Sequence, residues 1–439
     1  MTAIPRRDFA VLFAVLLVVA AGNTALQSVL PSIARQIGIK PTLIAVIFSL
    51  SALLWTVSAP YWARQSDTRG RKKLMLLGVA GFAVSMLGCA GAILAGLRGL
   101  LGPLAVVATF AALRSLFGLF GSASNPAAQA YVAARTSPAD RTASLSALTS
   151  AFGLGTILGP GIAPYLQFPA LGLSGPMFGF AAIAVVVGAG LWLFLPDDDP
   201  AHEPHTDPLH HGAPATMPSI LGAATGGSAR ASDVGRRPRL KLTDPRIMPF
   251  MIYGFASGSV QAATGQALGF LIIDTVGGAP AAAAKSVGIA FMVGAGATLL
   301  AQWGLIRMLA LRSGTLMRWG SGLAAAGALG IALAPDYYGV LVAFALTSLG
   351  YGFARPGFVA GASLMVAEAE QGAVAGAVTA VNGACFIIAP TVGIGLYEMG
   401  GAYPYLLGAV AQVALLAYAI LNPVLRRDLG GPVDDLPAD

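Results

Sequence analysis

The chain has 439 residues, 56% of them hydrophobic and only 10% charged, with a formal net charge of +7 and a mean hydropathy of +0.75. Soluble domains carry roughly 25% charged residues, so a soluble globular reading is excluded. The cations cluster in short stretches beside apolar runs, where they report membrane orientation rather than a nucleic acid or other anionic partner. Cys89 and Cys385 each lie in an apolar stretch and read as small packing residues, with no disulfide framework.

A helix needs about 20 mostly apolar residues to cross the hydrocarbon core. The run after Arg6 and Arg7 continues through Pro31 without a small-residue cleavage pattern, so it reads as a first span and not as a removable leader. On the same ruler, spans fall near 9–34, 42–63, 74–97, 103–133, 142–167 and 175–195. Six more fall near 246–273, 281–306, 314–335, 338–366, 371–397 and 403–425. The break between the third and fourth spans rests on Gly96, Gly99, Gly102 and Pro103. Residues 196–243 differ in kind: rich in Pro, Gly, Ser and His, they cannot bury enough apolar area to fold alone. All four histidines lie there (His202, His205, His210 and His211), and without cysteine or a folded frame they are expected to hold no metal. The sequence therefore predicts an all-α membrane protein with twelve transmembrane helices in two pseudo-symmetric six-helix bundles. The first bundle is 1–195, a flexible linker occupies 196–243, and the second bundle is 244–439.

Loop charge sets an orientation. With both termini cytoplasmic, nineteen cations fall in inside segments and four (Arg35, Lys40, Arg98 and Lys285) in outside loops. That bias follows the positive-inside rule. The halves also echo one another, since the fifth span ends in Gly159, Pro160, Gly161 and the eleventh in Ala389, Pro390, Thr391. Duplicated halves place a substrate site between them near the bilayer midplane.

Between the second and third spans lies a charged knot: Ala63, Arg64, Gln65, Ser66, Asp67, Thr68, Arg69, Gly70, Arg71, Lys72 and Lys73. It reads as a tight cytoplasmic loop. Its pattern of a small residue, three others, Asp, two others, Gly and a basic run resembles the signature loop of major facilitator superfamily transporters. The resemblance covers nearly the whole chain and implies the fold named above. It further implies that Asp67, with Gly70 and Arg71, forms a conformational latch against a helix N-terminus of the opposite half, where a carboxylate is favoured. Ala63 stands where the family usually has glycine, and Thr68 where it often has a base. The corresponding turn of the second half, from Gly304 through Arg307 and Arg312 to Gly314, has no acid, so the latch is expected to be one-sided.

Two further motifs carry the likeness. Gly155, Gly159, Pro160 and Ala163 are similar to the antiporter motif of the family's exporters, in which small residues let helices approach closely and proline bends the span. Arg114, followed four residues later by Gly118, is similar to the family's fourth-helix motif, associated with proton transfer. A cation at such depth is expensive and should face the bundle interior or a watery cavity. Arg355 beside Pro356 is the other deep cation, with a backbone-bonding role as open as a substrate role; Arg114 and Arg355 are the coupling or anion-binding candidates. Exporters of this branch commonly carry an acid in the first helix, but that region here offers only Asn23 and Gln27. Asp274 and Glu398, close to helix ends, are the candidate proton sites, with solvated termini as the plainer reading. The cavity candidates are Asn23, Gln27, Trp55, Phe117, Phe152, Tyr253, Gln261, Gln266, Phe270, Tyr351 and Asn382. Amides, aromatics and one arginine suit an amphipathic or anionic molecule better than a polycation.

The expectation is thus a drug:proton antiporter-like exporter of the bacterial inner membrane. It would take a small-molecule substrate, need no cofactor beyond a proton gradient, bind lipid and no nucleic acid, and act as a monomer. A uniporter or importer of a small organic anion on the same fold is the alternative. No span carries a His, Asp or Glu cluster fit for catalysis or metal, so no enzyme is expected.

Overall fold

A computed structural model describes residues 4–136, 138–197, 244–366 and 370–426; most of the segment read as a linker, with its four histidines, lies outside the described residues. Helices α1 (Arg6–Ile37), α2 (Pro41–Arg69), α3 (Arg71–Leu97), α4 (Pro103–Arg135), α5 (Pro138–Ile162) and α6 (Gly175–Phe194) make the first half. The second half comprises α7 (Met248–Val276), α8 (Pro280–Met308), α9 (Ser313–Leu333), α10 (Tyr337–Leu364), α11 (Gln371–Met399) and α12 (Tyr403–Leu421). Proline opens α2, α4 and α8, where its missing N–H costs nothing and its fixed φ favours a first turn. Ten of these helices are long and apolar enough to span a bilayer. The middle of α7 is less apolar because it carries Ser257, Ser259, Gln261, Thr264 and Gln266, a composition that belongs beside protein or water and not lipid.

Six crossings per half bring the start of α1, the end of α6 and the start of α7 to one face, called here the terminal face; the other is the distal face. The charged knot is not an extended loop. Helix α2 runs through it to Arg69, α3 begins at Arg71, and only Gly70 separates them, at φ 88°. That left-handed conformation suits glycine, so one residue makes the whole turn. Buried Lys72 reaches back to Asp197 just after α6, with Nζ 2.9 Å from a carboxylate oxygen. In the second half, the chain between α8 and α9 takes a longer path. A π-helical turn (Leu300–Leu305) loosens the end of α8, and Ala310 sits at φ 45° without the relief glycine would give.

The distal face is closed by contacts between the halves. Arg35 of α1 donates to the Asp274 carboxylate of α7 at 2.6 Å, and the Tyr397 hydroxyl of α11 donates to the same oxygen. Thr42 at the start of α2 donates its backbone N–H (3.1 Å) and hydroxyl (2.5 Å) to Glu398 of α11. Ser49 and Thr391 share a hydrogen bond at 3.1 Å one to two turns deeper. Asp274 and Glu398 are exposed at helix ends, as the plainer reading has them, and in addition each is paired with the opposite half.

Candidate functional site

Arg114 is the centre of the first half. It is 2% exposed on α4, and its Nη2 donates to the Asn23 side-chain oxygen of α1. The guanidinium lies 4.4 Å from the Phe117 ring centre and 5.3 Å from that of Phe48. Such stacking suits a planar, weakly hydrated cation. Its Nε and Nη1 are buried with no hydrogen-bond partner. Gln27, one turn beyond Asn23 on α1, likewise buries a side-chain oxygen that nothing satisfies.

The backbone around Arg114 is set by close helix approach. A side chain at Gly118 would meet the Ser51 carbonyl of α2 at 2.7 Å. That glycine thus lets α2 and α4 touch, and the Ser51 hydroxyl donates to the Arg114 carbonyl at 3.4 Å. Half-buried Trp55 of α2 stacks at 5.2 Å on Phe117, and Phe82 of α3 packs on the other side at 5.6 Å. Phe152 is buried on α5.

The glycine-proline motif of α5 works at two contacts. A side chain at Gly155 would meet the Leu17 carbonyl at 2.5 Å and the Ala20 methyl at 2.8 Å, and one at Gly159 would collide with the Ala21 carbonyl. Both hold α5 flush against α1. The carbonyl of Pro160 then faces Gly288 of α8, where an added methyl would sit 2.7 Å away. Ala163 is buried in the turn that follows. The motif is therefore part of the surface on which the halves close distally.

In the second half, Arg355 of α10 is half-buried beside Cys385 of α11, with its Nε buried and unpartnered. Tyr351, one turn before it, accepts from Gln412 of α12 at 3.3 Å, and Gln412 also reaches Ser257 of α7 at 3.4 Å. Tyr253 is fully buried against α9, donating to the Met317 carbonyl at 2.8 Å with Ser321 at 2.7 Å. It packs in the α7–α9 seam, where α9 takes up its hydroxyl. Phe270 packs at 6.3 Å on Tyr397 beneath Arg35 and belongs to the distal closure. Gln261, Gln266 and Asn382 are half-buried on α7 and α11. Next to Asn382, an added methyl at Gly383 would lie 3.0 Å from Thr56 of α2.

The structure thus places Asn23, Phe117 and, through Phe117, Trp55 around Arg114, with Gln27 one turn from Asn23, while Tyr351 and Arg355 lie one turn apart on α10. It assigns Tyr253 and Phe270 elsewhere. The side chain of Asp67 lies outside the description, while Arg71 is half-buried at the start of α3. Sequence reasoning missed Phe48, Gln412 and the Arg35–Asp274 pair. Gln412 had a signal, being the one amide in an otherwise apolar and aromatic α12. A cleft of about 510 Å³ at the distal face, lined by Arg35, Asp274, Tyr397 and Glu398, leaves that pair open to water. Among the described residues no cluster could hold a metal ion.

Residues 12–390 match the profile of the Major Facilitator Superfamily. No curated protein matches the sequence. Among solved structures, the chain is similar to the human organic anion transporter MFSD10 (TETRAN), with TM-score 0.63 and 17% identity over 95% of this chain and all of that one. It is also similar to a bacterial homologue of the human lysosomal transporter Spinster in an inward-facing, unoccupied conformation, with TM-score 0.66 and 12% identity over 95% and 96% of the two chains. A mutant of the nucleoside transporter NupG gives 0.68 and 14% over 94% and 98%. At such identities the likeness is one of fold.

Proposed function

The chain belongs to the major facilitator superfamily, and on that premise we propose that it is a proton-coupled exporter of small amphipathic or anionic organic molecules, working by alternating access. The family makes it a multi-pass membrane transporter rather than an enzyme; direction, coupling and cargo are our reading. The observation that carries it is the buried Arg114, bonded to Asn23 and flanked by aromatic rings, in a half that closes distally through its exporter-like α5 motif. A deep arginine in a membrane helix marks a functional site by default. An organic anion transporter among the fold neighbours agrees with that chemistry.

In this reading the protein is a monomer in a bacterial inner membrane, with both ends cytoplasmic, as the loop cations favour. The bundles 1–195 and 244–439 rock about the site, and Asp67, Gly70 and Arg71 latch the terminal face when the distal face opens. Asp274 and Glu398 are the carboxylates placed to exchange protons as the distal contact breaks. The test is transport in proteoliposomes under an imposed pH gradient: a gradient that drives substrate against its concentration supports the reading, and flux indifferent to pH contradicts it. One observation favours a uniporter or importer on the same fold. No acid lies in the interior of any membrane helix, and Asn23 and Gln27 in α1 do not titrate.

A further inference from the structure

Arg114 presents an unusual balance of forces. It is a permanent cation, sealed from water, with one hydrogen bond to a neutral amide and two guanidinium nitrogens left without protein partners. No acid stands beside it among the described residues: the acids of the helices named above are Asp8, Asp67, Asp140, Asp274 and Glu398, all within a turn or so of a helix end. A buried charge without a counter-charge costs several kcal/mol. Two rings recover only about 0.5–2 kcal/mol of that each. Arg355 repeats the arrangement in the corresponding helix of the other half, again with an unpartnered nitrogen and no acid beside it among the described residues.

Depth separates the two. Helices α4 and α10 both start at the distal face, and Arg114 is eleven residues in whereas Arg355 is eighteen. At about 1.5 Å per residue, Arg355 lies roughly 10 Å nearer the terminal face. It is also the more exposed of the two. With the distal face shut, a ligand arriving from the terminal side meets Arg355 first.

We propose that Arg114 is the anion-binding centre of this protein, that its missing counter-charge is the carboxylate of an aromatic organic acid, and that Arg355 receives the acid on the way in. This deepens the transport reading and rests on it for the route. The carboxylate accepts from the free Nη1, and the ring displaces the Phe117 and Phe48 faces that now cover the guanidinium. Gln27, with its unsatisfied oxygen on the same face of α1, fits an acid that carries a neighbouring hydroxyl donor. Because Phe117 stacks on Trp55, ligand entry must disturb that indole.

The experiment uses the purified full chain in nanodiscs, with benzoate as probe and benzamide and phenyltrimethylammonium as neutral and cationic controls of the same size. Binding is read by calorimetry and by tryptophan fluorescence. Benzoate is expected to bind and change the emission, and Trp55→Phe, which removes the reporting indole, should lose that change. Arg114→Gln should weaken benzoate at least about tenfold, the loss of one charge-assisted hydrogen bond; Arg114→Lys should recover part of it, and Arg355→Gln should slow association. The proposal is overturned if benzoate fails to bind at millimolar concentration, if benzamide binds as well, or if Arg114→Gln binds benzoate like wild type. Should Arg114→Gln not fold, the benzoate–benzamide comparison on wild type and the Lys variant still decide. Binding without flux would leave this inference standing and sink the transport reading; flux without charge selectivity would do the reverse.

Discussion

The two halves place an arginine in the same helix and treat it differently. In the first half, Arg114 is locked by Asn23, Phe48 and Phe117 and shut off from water. In the second, Arg355 is half-buried, no described ring stands over it, and Gln412 nearby donates to Tyr351 and Ser257 while its own side-chain oxygen is buried without a partner. The difference teaches that pseudo-symmetry of fold does not carry symmetry of side-chain environment. One half holds a fixed, desolvated charge whose strength comes from its low-dielectric surroundings, and the other offers an adaptable one.

The sharpest way to break the comparison is to remove the charge on each side. Arg114→Gln should abolish anion binding and transport while leaving the melting temperature unchanged or higher, because an uncompensated buried charge is removed. Arg355→Gln should lower transport severalfold with little change in stability. A melting curve and a flux assay on both variants check this. Equal losses in the two would contradict the asymmetry.

The next effect is mechanical. Gly159→Val drives a branched side chain into the Ala21 carbonyl, and overpacking of this kind costs about 1–3 kcal/mol. The α1–α5 seam should loosen, with a lower melting temperature and loss of flux together. A glycine of α11, Gly393, lies as tightly on the Ala263 carbonyl of α7, so Gly393→Val should behave alike. A tolerant Gly393→Val would show that the second half is the more plastic one.

Smaller still is the distal ion pair. Arg35 and Asp274 side chains are 36% and 45% exposed, and exposed pairs contribute about 0.2–1 kcal/mol. Asp274→Asn should therefore shift the population toward distal opening by a few-fold at most. Labelling of Ser49→Cys by an impermeant maleimide reads that shift, helped by both native cysteines being buried. At the terminal face, Arg246 bonds Asp244 and Glu370, and its hydrogen bonds hold the Asp244 carboxyl below the usual carboxylate range. A depressed carboxyl contributes stability at neutral pH that fades as pH falls through its lowered value. Arg246→Gln should accordingly flatten the acid limb of a pH–stability curve. The least effect is expected at the α8–α9 turn, where Ala310→Gly relieves a positive φ and should raise stability by about 1 kcal/mol or less, read as a slightly higher melting temperature.

The span pattern was legible because a bilayer imposes one length and one polarity on every helix. The predicted 42–63 span falls short of the end of α2 because a polar final turn satisfies its backbone internally as readily as an apolar one; Arg64 to Arg69 look like loop and are helix. Arg114, Asn23 and Gln27 could be picked out because polar groups at membrane depth are rare. Their company could not. Phe48 is one of many aromatics, and only the α2–α4 contact at Gly118 brings it over the guanidinium. Arg35 and Asp274 are 239 residues apart, and nothing local in either helix end announces the pair. Tyr253 misled because a tyrosine suits a cavity and a helix seam equally.

The most direct test of the whole account is benzoate counterflow into proteoliposomes, wild type against Arg114→Gln, with and without a pH gradient. The account predicts that wild type exchanges benzoate, that an imposed gradient accelerates it, and that Arg114→Gln does neither while remaining folded. Exchange that survives in folded Arg114→Gln at the wild-type rate would contradict it.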